Sequence, residues 1–195
     1  MNYLGHLYLS PPGEDALLGS LLGDFVKGPL DDRYPPAVTR AIALHRKLDS
    51  FTDMHPEVRT SKSRISAQRR RYAGIMVDVF YDHFLARRWR EFHDEPLATF
   101  AAHVYEVLNR RYEELPERLR DMAPYMIRHD WLGSYAEVGS IHCVLNRMSR
   151  RLKRENSLLG SADELVANYA HLESDFRAFL PQAQRFSCEA FALSQ

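Results

Sequence analysis

The sequence predicts an all-α protein: a compact single-domain bundle of about seven or eight helices over residues 1–195. Three observations support this. Apolar residues recur at three- and four-residue spacing almost throughout, while alternating strand patterns are scarce. Several prolines stand just ahead of periodic segments, at the one helical position where a missing N–H costs nothing. There is no repeat of fixed period and no low-complexity linker, and the length is enough for one real core.

The elements follow in order. After the breaker "PPG", the stretch Glu14 to about Val26 carries leucines on one stripe. A second helix runs from Pro36 to Phe51 with Ala41, Leu44 and Leu48 inward, and a short basic helix follows Pro56. Tyr72 to about Phe92 is apolar almost all round for its first turns, the mark of a central helix. Pro96 opens the next helix, and Pro116 opens another that Pro124 is expected to kink or divide. Further helices are predicted over Tyr135–Lys153 and Ala162–Phe179.

Lys plus Arg equals Asp plus Glu, 26 against 26, so no global field recruits nucleic acid or a membrane surface. Cys143 and Cys188 are far apart in helical sequence, which suits a reducing compartment and makes the cytoplasm the expected location. The stretch "MNYLGHLYLSPPGED" has no basic n-region and too short an apolar run for a signal peptide or a span, so a soluble protein is expected.

The informative residues are polar ones in apolar surroundings. In "VDVFYDHFLARRW", Asp78 and Asp82 stand one turn apart on one face of the central helix, with His83 about 100° further round. Buried carboxylates need a partner or a metal. The second helix places His45, Asp49 and Asp53 at four-residue steps, and His6 and Asp24 are lone polar residues within "YLGHLYL" and "LLGDFV". Each has an ordinary explanation: a satisfied core histidine for His6, pairing of Asp49 with Arg46 or Lys47, capping by Asp53, pairing of Asp24 with Lys27. Their conjunction points to a metal-centred hydrolytic site, and mixed imidazole and carboxylate donors suit Mn, Fe, Zn or Mg. His83 ligates only if the ion sits over the seam between helices; otherwise it orients a ligand. His55, His93, His103, His129, His142 and His171 lack such neighbours and are read as structural.

The blocks "MNYLGHLYLS", "LLGDFVKG", "HRKLDSFTD" and "DVFYDHFLARRW" resemble the acyl carrier protein phosphodiesterase family, also called ACP hydrolyase, placed near the HD-type metal phosphohydrolases. The resemblance runs over nearly the whole chain. It implies an all-helical, HD-domain-like enzyme of lipid metabolism that uses a divalent metal, usually Mn²⁺ with Mg²⁺ or Fe²⁺ as alternatives. The implied reaction is hydrolysis of the phosphodiester joining 4'-phosphopantetheine to a serine of holo-acyl carrier protein. Position by position it supports His6, Asp24, His45, Asp49, Asp78 and Asp82 as metal-site residues and Asp24, His45 and His83 as catalytic ones. Asp24 either binds metal or orients the attacking water, and either His83 or His45 protonates the leaving oxygen. Gly5 and Gly23 replace an alanine common in relatives, and the pair Asp82-His83 reverses the His-Asp order of HD enzymes.

The segment "EVRTSKSRISAQRRRY" gathers Arg59, Lys62, Arg64, Arg69, Arg70 and Arg71 with few acids. Acyl carrier proteins are acidic, so this segment is the expected carrier-binding face, against the simpler reading of a solvated basic surface. The cluster "SRRLKRE" is a weaker candidate. Two other functions fit the residues: a phosphohydrolase of small phosphate esters, and a non-catalytic carrier-binding protein whose His and Asp groups form buried ion pairs.

Overall fold

Proline marks the start of four helices in the computed structural model, which describes residues 1–193. In chain order the α-helices are α1 (Tyr3–Tyr8), α2 (Glu14–Leu22), α3 (Pro36–Met54), α4 (Pro56–Arg64), α5 (Ala73–Arg87), α6 (Leu97–Arg110), α7 (Glu117–Arg128), α8 (Trp131–Ser134), α9 (Val138–Arg151), α10 (Asp163–Ala167) and α11 (Tyr169–Ala192). Pro36 and Pro56 are the first residues of α3 and α4, while Pro96 and Pro116 cap α6 and α7. Short 3₁₀ turns cover Ala67–Tyr72, Trp89–Glu91 and Tyr112–Glu114, and no strand occurs among the described residues.

α5 is the central helix. Phe80, Tyr81 and Phe84 are essentially inaccessible, and α1, α4, α9 and α11 all pack on it. Beside it α2 lies directly on α3, since a Cβ on Gly19 would stand 2.4 Å from the Ala41 Cβ and 2.6 Å from the Val38 carbonyl oxygen. Only a glycine admits that approach. On α3 the expected inner residues Ala41, Leu44 and Leu48 are buried.

The bundle has eleven α-helices among the described residues, more than the seven or eight predicted, because short segments became helices of their own. Pro124 does not divide α7: it lies exposed within an unbroken helix, which forgoes the one hydrogen bond its missing N–H would have made. The break comes at Asp130, which adopts φ 40°; its Oδ1 accepts from Gly133 N–H at 3.1 Å and from the Tyr105 hydroxyl at 3.0 Å. The helix expected over 162–179 divides at Asn168 and runs on past an exposed Pro181 to Ala192. Cys143 and Cys188 are exposed and unpaired. Among the described residues no helix is long and apolar enough to cross a membrane.

The shortest of the site-bearing helices depends on a contact distant in the sequence. α1 has six residues, too few to be stable alone, and offers no side-chain cap of its own. Asp82, fully buried on α5, supplies the missing acceptors: Leu4 N–H donates to Oδ2 at 2.8 Å and Gly5 N–H to Oδ1 at 3.0 Å. Burial raises the Asp82 pKa to about 7, opposed by the Met1 ammonium and these two N–H groups. Replacing Asp82 by Ala leaves two buried N–H groups unsatisfied, at about 1–3 kcal/mol each. The expected result is a fall in Tm of roughly 4–20 °C, with Asp82→Asn losing less because one acceptor oxygen survives. Thermal melts followed by circular dichroism test this, and an unchanged Tm in Asp82→Ala would remove the anchoring role.

Candidate functional site

His45 and Asp49, one turn apart on α3, form the floor of the site. The His45 Nδ1 lies 2.8 Å from the Ser20 carbonyl oxygen of α2, so Nδ1 carries the donated proton and Nε2 points outward. Nε2 stands 3.4 Å from Asp49 Oδ2 and 3.8 Å from Asp24 Oδ1. His6 of α1 stacks on the His45 ring with centroids 3.7 Å apart, and its Nε2 is 2.9 Å from Asp49 Oδ1. Donor atoms of His6, His45 and Asp49 all lie within 4.8 Å of one another. Gly23 makes room for the ring, since a Cβ there would stand 2.2 Å from the His45 Cγ. An alanine at this position requires a shifted imidazole, so small size alone does not make the two residues equivalent.

The electrostatics of this group are unbalanced. Burial opposes the charged form of His45, but the Asp24 and Asp49 carboxylates together outweigh it and raise its pKa to about 9. Burial lowers His6 to about 4, against the pull of Asp49. Burial also opposes ionisation of Asp49, yet both imidazoles hold its pKa far below the usual carboxylate range. The buried His45 Nε2 and His6 Nδ1 have no hydrogen-bond partner. A neutral His45 would aim a lone pair at two carboxylates, so the position requires either a proton or a cation. Two imidazoles and two carboxylates fit a divalent ion such as Mn²⁺, Fe²⁺ or Zn²⁺.

The structure therefore brings together His6, Asp24, His45 and Asp49. Asp78 stands on the wall of the same cavity, with the Met1 ammonium 3.0 Å from its Oδ1. Asp82 lies behind α1 with both oxygens occupied, which sets it apart from the donor cluster. His83 faces elsewhere: Nδ1 lies 2.8 Å from the Tyr135 carbonyl oxygen and Nε2 3.0 Å from the Tyr169 hydroxyl, in a separate cleft with Arg87 and Glu137. The physical reason is the 100° step between neighbours on a helix, which sends Asp82 and His83 toward different partners. Asp53 leaves the stripe to pair with Lys62 at 2.8 Å.

The cavity in front of the cluster has a volume of about 520 Å³, in the range of small-molecule sites. Its walls include residues the sequence did not single out, Tyr3 and Arg118, with Ile75 and Met148 as apolar surface, and also Lys27, which forms no ion pair with Asp24. Tyr3 and Arg118 come from separate segments with no shared periodicity, which left no signal to find. Burial, then the charge of Asp24, raises the Tyr3 hydroxyl to about 12.

The basic segment is not one helical face. It breaks at Ser66 between α4 and the 3₁₀ turn, and most of its charges are engaged. Arg64 makes a two-pronged pair with Asp175 at 2.8 and 3.0 Å, Arg69 donates to the Gly160 carbonyl, and Arg70 donates to the carbonyls of Ile65 and Ser63. Arg59 and Arg71 are exposed without an ion pair, Arg71 lying 5.8 Å from the Tyr72 ring.

A family model described as acyl carrier protein phosphodiesterase matches residues 1–183. Among curated relatives, an acyl carrier protein phosphodiesterase of Escherichia coli O157:H7 is 38% identical over 183 residues, covering 93% of this chain and 95% of the relative. One from Serratia proteamaculans (strain 568) is 39% identical over 185 residues, again 93% and 95%. No solved structure matches.

The raised pKa of His45 has a measurable sign in protein freed of metal. Its folded value lies above the unfolded 6.5, so its stabilisation is complete below pH 6.5 and is lost as pH rises through about 9. His6 acts in the opposite window, between 6.5 and 4. The Tm of chelator-treated protein is therefore expected to decline between pH 6.5 and 9, with a flatter profile in His45→Gln. Equal slopes for the two proteins would show that His45 does not carry the extra proton.

Proposed function

The chain belongs to the acyl carrier protein phosphodiesterase family, and from that premise we propose a metal-dependent enzyme that hydrolyses the 4'-phosphopantetheine–serine phosphodiester of holo-acyl carrier protein. The observation that carries this reading is the buried His6–His45–Asp49 group, joined by Asp24, at the base of a cavity large enough for a phosphodiester. The relation to HD-type metal phosphohydrolases rests on that donor chemistry. On this reading the products are apo-carrier and 4'-phosphopantetheine, a role in lipid metabolism follows from the carrier substrate, and the free thiols support a cytoplasmic location.

His6, His45 and Asp49 would hold the ion. A divalent cation bound there supplies charge neutralisation at phosphorus and an acidified water. Asp24, half-exposed and 3.8 Å from His45 Nε2, either completes the donor set or takes a proton from the attacking water. Water adds its oxygen to phosphorus and a proton reaches the departing serine oxygen. His83, turned toward Tyr135 and Tyr169, is not assigned that transfer. Asp78 shapes the wall, and Asp82 positions His6 through α1. Carrier docking falls to Arg59 and Arg71, the two charges of the basic segment left free for an acidic partner.

Asp49→Ala is expected to abolish turnover with the helical spectrum retained, and Asp24→Asn to lower kcat by about 10–100-fold. Chelation stops the reaction, and Mn²⁺ restores it better than Ca²⁺, whose larger oxygen-rich shell suits imidazole donors poorly. Since His45 must lose its proton to ligate, ion uptake at pH 7 releases about one proton, measurable by calorimetry in buffers of different ionisation enthalpy. Full activity after verified metal removal would end this reading.

Reversing Arg59 and Arg71 to Glu is expected to raise KM for holo-carrier and flatten its dependence on ionic strength, without lowering Tm. Arg64→Glu should instead destabilise the fold, because it places a like charge against the buried Asp175. Unchanged carrier kinetics in the Arg59 and Arg71 variants would leave docking to another surface.

A further inference from the structure

The cavity that the carboxylates border is also lined by cations. Lys27 from the loop after α2, Arg118 from the first turn of α7 and Arg151 from the last turn of α9 converge on it. None of these cations has an ion-pair partner among the described residues, although Asp24, Asp49, Asp53 and Asp78 border the same space. The Arg118 guanidinium lies 5.7 Å from the Phe25 ring, which orients it without neutralising it. Tyr3 sits in the combined field of Asp24, Arg118 and Arg151, and its hydroxyl has no hydrogen-bond partner among the described residues. Cations left unpaired around a cavity keep their full charge for an anion, and guanidinium forks match phosphate oxygens.

We propose that Arg118, Arg151 and Tyr3 form the phosphate subsite, their guanidinium N–H groups and the phenol hydroxyl donating to the phosphate oxygens. This rests on the reading of the chain as a phosphopantetheine hydrolase. An anionic phosphate matches the unpaired cations of a cavity that Asp24 and Asp49 of the donor cluster also line.

The test uses the full chain and two probes, 4'-phosphopantetheine and inorganic phosphate, titrated by calorimetry with holo-carrier turnover measured in parallel. Arg118→Ala and Arg151→Ala are each expected to weaken both probes by about tenfold, the size of one lost charge-assisted hydrogen bond. Tyr3→Phe, which keeps the ring and removes the hydroxyl, should weaken both probes as well. Both arginines are exposed and unpaired, so Tm should not change, and any variant with a lowered Tm is replaced by Lys at that position. The proposal is overturned if the arginine variants bind both probes like the wild type. Absence of wild-type turnover alongside the expected binding pattern would instead overturn the hydrolytic reading and leave the subsite standing.

Discussion

Asp82 accepts two backbone N–H groups from the first turn of α1, and through that contact the buried middle of α5 decides where His6 stands. A six-residue helix has no independent stability, so its orientation has to come from outside it. Once α1 is fixed, the His6 ring can lie 3.7 Å from His45, which is itself held by the Ser20 carbonyl and by the space Gly23 leaves open. The donor cluster is thus supported from three helices: α1 through Asp82, α2 through Ser20, and α3 directly. Such support keeps donor atoms in place when the charge between them changes.

That arrangement concentrates negative charge where burial makes it costly. Asp49 sits between two imidazoles, and its stabilisation depends on what occupies the space in front of them. A proton on His45 satisfies part of the need in the absence of an ion; a divalent cation satisfies more of it, because it offers two charges to several oxygens and nitrogens at once. Lys27, Arg118 and Arg151 line the same cavity and form no ion pair with its acids among the described residues.

The arginines illustrate why composition is a poor guide to recognition. A cluster of six basic residues in one segment suggested a docking face, yet Arg64 is tied to Asp175, Arg69 to Gly160, Arg70 to the end of α4 and Lys62 to Asp53. These bonds hold α4 and the following turn against α11 and the loop before α10. By contrast Arg118 attracted no notice in the sequence and stands unpaired at the cavity. Local charge density counts residues, whereas availability depends on which carboxylates and carbonyls the fold places beside them.

The sequence by itself determined the helical class, the proline-marked starts of α3, α4, α6 and α7, the inner stripe Ala41–Leu44–Leu48, and the central position of α5, because periodicity and backbone chemistry are local properties. It also selected His6, Asp24, His45 and Asp49, since polar residues embedded in apolar runs must be compensated and their number made a shared site the simplest compensation. Only the tertiary structure decided which of the remaining candidates belong with them. Asp78, Asp82 and His83 occupy adjacent positions on one helix, but rotation about the helix axis and the arrival of α1 send one to the cavity wall, one to a backbone anchor and one to a tyrosine pair. Tyr3 and Arg118 were out of reach as cavity residues, because they are distant in the chain and only the fold brings them to one space, whereas Arg151 belongs to the cluster "SRRLKRE" that the sequence had marked.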